Sequence, residues 1–187
     1  MAAEAFAQAR GERGPADSIE DLGLGVRCLQ WATAGPPMLP GLFNNNVQFF
    51  QTPQYVTIYN EMGHSARIVP MDGRSHGTIR QWMGDSRGHW EGSTLVVDTV
   101  NFSDKTSFRG SDENLHLVER FTRTDRDTIE YQFSVEDPTV WTQSWSAVVP
   151  MHATEGPIYE FACHEGNMRS VEGILGSARA EEKSSER

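Results

Sequence analysis

The sequence has little lysine, few cysteines and no long apolar run. No stretch approaches the roughly 20 apolar residues that a membrane-spanning helix needs, and residues 1–15 lack the apolar core of a signal peptide. Only two of the 16 basic residues are lysines, Lys105 and Lys183, while 26 acidic residues give a net charge of −10. Because such a chain repels phosphate groups, we expect neither nucleic acid nor an anionic membrane surface as a partner.

Signatures of cofactor, metal and nucleophile sites are also missing. The sequence contains no G-x-G-x-x-G motif, no P-loop and no H-E-x-x-H motif. Residues 84–88, GDSRG, superficially resemble a nucleophile motif. That motif requires a strand–turn–helix elbow, and here the pattern of a strand follows. We therefore expect no organic cofactor, no metal and no serine nucleophile.

The two cysteines leave the redox state open. Cys28 and Cys163 lie near opposite ends of the β-rich region, and two buried thiols or one disulfide both fit their positions. A bond closing so long a loop would stabilise the fold by about 4–5 kcal/mol in the chain-entropy model.

From Val47 onward, the sequence consists of short runs of β-branched and aromatic residues separated by turn residues. This spacing is typical of an antiparallel sandwich or barrel. We predict strands at 47–51, 55–62, 66–71, 78–83, 86–91, 94–102, 115–123, 128–136, 141–150 and 158–163. The predicted fold is mostly β, a lipocalin-like barrel or sandwich of about eight to ten antiparallel strands with a short C-terminal helix. The expected organisation is a tail at 1–25, one β domain at 26–167, and a helix and tail at 168–187.

Turn residues set the register of one predicted hairpin. Glycine in the first central position makes residues 92–93 suitable for a two-residue type II′ turn. Since side chains alternate between the faces of a strand, Trp90 then lies on the apolar face. Arg87, His89 and Asp98 share the opposite face. His89 and Asp98 are diagonal neighbours, within reach of each other.

A second hairpin follows the hydrophobic pattern. A three-residue loop at 125–127 keeps the apolar side chains of both strands on one face, as register requires. His116 then faces Glu136 on the polar side. Glu119 lies on the apolar side, opposite Phe133.

Glu119 is anomalous because a carboxylate among apolar side chains has a raised pKa unless it is paired. Such a residue is a functional candidate. The alternative is a salt bridge with an inward arginine such as Arg67 or Arg80, and both interpretations stay open.

Titratable residues beside aromatic strands predict a small-molecule enzyme that uses acid–base chemistry, of the lyase, dehydratase or isomerase type. A histidine held by a carboxylate is the usual general-base arrangement. The predicted catalytic residues are His116, His89, Glu119 and Asp98. The predicted substrate-binding residues are Arg120, Trp90, Tyr131, Phe133 and Tyr59.

Two other classes of function compete with the enzyme. A non-catalytic, lipocalin-like binding protein for a hydrophobic small molecule predicts a deep apolar cavity with the histidines outside it. A domain that assembles through a sheet edge predicts a flat apolar patch. We expect a small-molecule ligand. The sequence leaves open whether the protein forms a homo-oligomer.

Three segments carry a resemblance to a known family. Residues 80–102 (RQWMGDSRGHWEGSTLVVDTVNF), 114–121 (NLHLVERF) and 158–167 (IYEFACHEGN) resemble motifs of a large family of uncharacterised bacterial proteins, many of them exported. The similarity covers roughly residues 27–182. It implies an exported or periplasmic location and a paired set of cysteines, and it implies no catalytic assignment.

Overall fold

The computed structural model describes residues 16–185. Most of the tail predicted at 1–25 lies outside the described residues, and within it Ile19–Asp21 form one turn of 3-10 helix. The β-rich region begins at Val47, as the sequence predicts.

The strands form two antiparallel sheets. The first contains β1 (Val47–Gln51), β2 (Tyr55–Asn60) and β3 (Ser65–Pro70) in that order. The second contains β4 (Asp85–Glu91), β5 (Thr94–Val100), β6 (His116–Arg123), β7 (Thr128–Glu136) and β8 (Trp145–His152), also in chain order. Each sheet is a meander, in which every strand pairs with the next one in the sequence.

The sheets pack face to face over one hydrophobic core. Val56, Ile58 and Val69 of the small sheet are buried against side chains of the large sheet. At Gly88 the two layers approach closely, since a Cβ there would lie 2.5 Å from Met71 Sδ. Glycine at this position therefore lets β4 lie against β3.

The sandwich part of the predicted fold is confirmed, and the barrel part is wrong. Among residues 16–185, no ladder of hydrogen bonds joins β3 to β4 or β1 to β8. Both sheets are consequently open.

Two predicted strands are not strands. Residues 78–83 make one bridge, Gln81 with Phe102, and the side chain of Ile79 is exposed. Residues 158–162 run as irregular chain into the helix. Both segments have strand-like composition, but neither finds a neighbouring edge with which to form a ladder.

The C-terminal helix α1 (Cys163–Ser185) is longer than the helix predicted at 168–183. A disulfide joins Cys163, its first residue, to Cys28, with 5.9 Å between the two Cα atoms. Asn167 Nδ2 donates to the carbonyl oxygen of Val26. The disulfide and this hydrogen bond therefore connect the segment around Cys28 to the first turn of α1. Within the described part of the chain, no helix has the length and apolar character needed to cross a membrane.

Both hairpin registers predicted from the sequence are confirmed. Arg87 pairs with Asp98 across β4 and β5, and His116 pairs with Glu136 across β6 and β7. At the edge of the large sheet, Pro150 of β8 stands opposite Glu130. Since proline has no N–H to donate to β7, its ring nitrogen faces the free edge.

Candidate histidine site on the outer sheet face

The outer face of the large sheet carries a compact group of titratable side chains. His116 Nε2 lies 3.1 Å from Asp98 Oδ2, and His76 Nε2 lies 3.1 Å from Asp98 Oδ1. One carboxylate thus holds two imidazoles, one on each oxygen. We call His76, Asp98 and His116 the histidine cluster.

Strand register places two members of the cluster. Asp98 of β5 stands opposite Val118 of β6, which puts His116, two residues earlier on β6, diagonal to Asp98 on the same face. On the other side of His116, Nδ1 lies 3.9 Å from Glu136 Oε2.

The third member comes from the loop before β4. His76 Nδ1 lies 3.6 Å from Asp85 Oδ2 and has no hydrogen-bond partner. Asp85 holds this loop, because it accepts a hydrogen bond of 2.7 Å from the backbone N–H of Gly77. Arg87 donates to Asp85 and, from Nε, to the carbonyl oxygen of Ser75. The loop therefore rests on β4 with His76 against Asp98.

Electrostatics favour the charged pair in the cluster. The hydrogen bond from His116 lowers the pKa of the Asp98 carboxyl, against an opposing effect of partial burial. The hydrogen bond to Asp98 raises the pKa of His116, and Glu136 adds to this effect by its charge. In the neutral form of His116, the bond to Asp98 keeps the proton on Nε2 and leaves the lone pair on Nδ1.

Replacing Asp98 with asparagine tests this coupling. We expect the pKa of His116 to fall towards its ordinary value of about 6.5, because the carboxylate that stabilises the imidazolium is lost. In the wild type, the raised pKa stabilises the folded state below the unfolded value, and this contribution disappears as the pH rises through the folded pKa. NMR titration of the His116 ring protons measures the shift, with exposed His164 as the control imidazole. An unchanged His116 pKa in D98N would contradict the coupling.

His89 and Arg120, predicted to act with His116, belong to a separate group. His89 Nε2 lies 3.2 Å from Glu91 Oε1, and Arg120 donates to Glu91 Oε2 at 2.7 Å. Arg120 is four residues along β6 from His116, about 13 Å for an extended strand. The structure therefore places Arg120 apart from His116, and its predicted role in substrate binding stays a prediction. Arg87 of β4 stands directly opposite Asp98 of β5.

Glu119, the other predicted catalytic carboxylate, lies apart from the histidines. Glu119 is on the inner face, fully buried, and forms a two-pronged ion pair with Arg67 of β3. The hydroxyl of Tyr131 donates to Glu119 Oε1 at 2.8 Å and accepts from the backbone N–H of Met38 at 3.0 Å. Of the two arginines considered from the sequence, Arg67 is the partner.

The buried network of Arg67, Glu119 and Tyr131 joins separate parts of the fold. Burial alone would lower the pKa of Arg67, but the charge of Glu119, its hydrogen bonds to the guanidinium and the charge of Tyr131 together outweigh burial and raise the pKa. Burial raises the pKa of the Tyr131 phenol well above its ordinary value. The network connects the small sheet, the large sheet and the segment at Met38.

The aromatic residues predicted to bind substrate do not converge. Tyr131 and Phe133 are in the core, with ring centroids 5.7 Å apart. Trp90 lies half-exposed at the tip of the β4–β5 hairpin. Tyr59 alternates with buried Ile58 on β2 and so lies on the outer face of the small sheet. These four rings therefore do not line one pocket together, and their predicted role in substrate binding stays a prediction.

Ser86 of the GDSRG segment is not an exposed nucleophile. Its side chain is buried, and its Oγ lies 2.9 Å from Thr99 Oγ1.

Two grooves lie elsewhere on the sandwich. The lysine groove, about 680 Å³, follows the seam between β3 and β4 and includes Arg80, Trp82, Ser86 and Lys105 in its lining. The asparagine groove, about 710 Å³, lies between β1 and the ends of β7 and β8, and its lining includes Asn44, Asn45, Asn46 and Asn60. Neither groove contains His76, Asp98 or His116.

Sequence reasoning missed His76, which it assigned to a solvated turn. The residue lies in a loop without periodicity, and only the folded loop brings it to Asp98. Among the described residues, no group of three or more His, Cys, Asp or Glu side chains is arranged to hold a metal ion.

Comparison of the chain with protein-family models, with curated proteins and with solved structures finds no match. The resemblance of its motifs to exported bacterial proteins therefore stays a prediction, and the site is interpreted from its own geometry.

Proposed function

We propose that the protein is a small-molecule enzyme that performs acid–base chemistry at the histidine cluster, without an organic cofactor. The observation that carries this proposal is the contact of both imidazoles with the two oxygens of Asp98. Lyases, dehydratases and isomerases that use acid–base chemistry transfer a substrate proton to a base of this kind.

In the proposed reaction, His116 is the general base. The bond to Asp98 orients its ring and leaves the Nδ1 lone pair for the proton of a substrate C–H bond. The resulting imidazolium is stabilised by Asp98, which stays ionised. Return of the proton to another carbon gives isomerisation, and its transfer to a leaving hydroxyl gives dehydration.

Replacing His116 with alanine tests the proposed base. In D2O, we expect the wild type to exchange the α-proton of at least one compound in a panel of 2-keto and 3-hydroxy carboxylic acids. We expect H116A to exchange it about 100-fold more slowly, the low end of general acid–base contributions. Proton NMR measures the rates, and H164A, which removes an exposed imidazole from α1, is the control.

Equal rates in H116A and the wild type, or no acceleration of any compound by the wild type, would contradict the proposal. D98N adds a second readout, because a merely structural Asp98 would not alter the pH dependence of the exchange rate.

A second candidate is non-catalytic binding of a hydrophobic small molecule. The asparagine groove favours it, since apolar side chains line much of its wall, including Met38, Leu39, Phe49, Ile129 and Met151. This candidate predicts that the neutral fluorescent probe N-phenyl-1-naphthylamine binds equally well to the wild type and to H116A.

A further inference from the structure

The lysine groove concentrates positive charge in a chain of net charge −10. Three of its lining residues are cationic, Arg67, Arg80 and Lys105, and one is acidic, Asp85. Asp85 is already satisfied, because it accepts hydrogen bonds from Gly77 and Arg87. Arg67 is neutralised by Glu119. The charges open to a ligand are therefore those of Arg80 and Lys105.

Neither of these two cations is tightly held by a carboxylate. Within residues 16–185, no carboxylate lies within 4.0 Å of the Lys105 ammonium. Arg80 Nη2 lies 3.1 Å from Glu113 Oε2, but both side chains are more than 40% exposed (46% and 42%). A pair this exposed is weak, so an incoming anion can compete with Glu113 for Nη2 of the guanidinium, while Nη1 donates to the backbone carbonyl oxygens of Phe102 and Glu113.

An aromatic wall lies beside the two cations. Trp82 and Met83 are half-buried members of the lining. The indole N–H of Trp82 donates to no acceptor among the described residues. The backbone carbonyl oxygen of Trp82 accepts a hydrogen bond from Thr106 Oγ1 at 2.9 Å. The backbone of Trp82 is thus held at a residue that lines the groove.

The chain that forms this wall is held in place before any ligand arrives. Gln81 accepts a hydrogen bond from the Ser103 N–H at 2.8 Å and donates to the Asn101 carbonyl at 2.9 Å. Gly84 has φ +68°, and a Cβ there would lie 2.6 Å from Thr99 Cγ2. A wall that is already ordered loses little conformational freedom on binding, and this favours affinity.

We propose that the lysine groove is a binding site for a small aromatic carboxylate. The carboxylate lies between Lys105 and Arg80, and the ring packs against Trp82. The volume of the lysine groove, about 680 Å³, falls in the range of pockets that take small organic ligands. The proposal is independent of the function of the histidine cluster, which shares none of these residues.

The probe for this site is 2-naphthoate, and isothermal titration calorimetry on the full chain measures its Kd. Two matched ligands separate the contributions, since 2-naphthamide lacks the charge and acetate lacks the ring. We expect both to bind at least tenfold more weakly than 2-naphthoate. For 2-naphthamide, the reason is that loss of one charge-assisted hydrogen bond raises Kd about tenfold or more.

Lys105→Gln is the main variant, because the exposed Lys105 side chain makes no hydrogen bond or ion pair with the residues that the structure describes. We expect K105Q to weaken 2-naphthoate binding about tenfold. Lys183→Gln is the control, since it removes the other lysine of the chain, which lies exposed on α1. In an NMR titration, the indole N–H of Trp82 should show the largest shift among the five tryptophans.

The proposal is overturned if 2-naphthoate does not bind, if K105Q binds it as tightly as the wild type, or if K183Q weakens it as much as K105Q. It is also overturned if 2-naphthamide binds as well as the acid, or if the shifts map to the asparagine groove. His116→Ala should leave Kd unchanged, so failure of the enzymatic proposal would not affect this result.

Discussion

Replacement of Glu119 with glutamine is expected to lower the free energy of unfolding by about 3–5 kcal/mol, the range for breaking a buried ion pair. Glutamine has nearly the shape of glutamate, so the change leaves no cavity. It removes the only carboxylate that contacts Arg67 within the described residues, and the guanidinium is then buried without a counter-charge. Urea denaturation followed by fluorescence measures the loss.

An exposed ion pair provides the matched control. Asp72 forms a two-pronged pair with Arg74, but solvent reaches both side chains. Asp72→Asn should therefore leave the urea midpoint nearly unchanged. The double variant Arg67→Met with Glu119→Leu removes both buried charges, and it should recover most of the stability that E119Q loses. A loss in E119Q no larger than that in D72N would contradict the importance of the buried pair.

Removal of the disulfide has the second large effect. The bond joins residues that are 135 positions apart, and in the chain-entropy model a loop of this length stabilises the fold by about 5 kcal/mol. We expect the double variant C28S/C163S to lose about this amount, as measured by urea denaturation without reductant.

Hydrogen exchange locates the effect of the disulfide. Protection should fall most in the segment around Cys28 and in the first turn of α1, because few other contacts hold them together, among them the bond from Asn167 to Val26. Addition of reductant to the wild type should reproduce the loss, and it should leave C28S/C163S unchanged. Equal stability of the double variant and the oxidised wild type would contradict the prediction.

The sheet pairings were accessible from the sequence because turn and strand signals agree. Glycine at position 92 specifies one register through a two-residue turn, and the three-residue loop at 125–127, together with the alternation of β6 and β7, specifies the other. The sequence left open which sheet face is inside. That depends on how the two sheets stack, and local patterns do not contain this information.

The predicted catalytic residues do not all lie on one face of the sheet, and the strand register already implies this separation. His116 and Glu119 are three residues apart on β6, and an odd separation puts two strand residues on opposite faces. Glu119 therefore faces Arg67 in the core while His116 faces Asp98 outside. His76 could not be found in this way, because its loop follows no period and its position depends on the contacts of Asp85.

The proline in the edge strand β8 has a consequence for the behaviour of the protein in concentrated solution. An incoming strand from a second molecule would need a donor from each outward-facing backbone nitrogen, and Pro150 offers none. Fibril growth by strand addition at this border is thereby obstructed at Pro150. At the opposite border of the same sheet, the 71–84 loop lies against the beginning of β4, where Arg87 donates to Ser75 and Gly77 donates to Asp85.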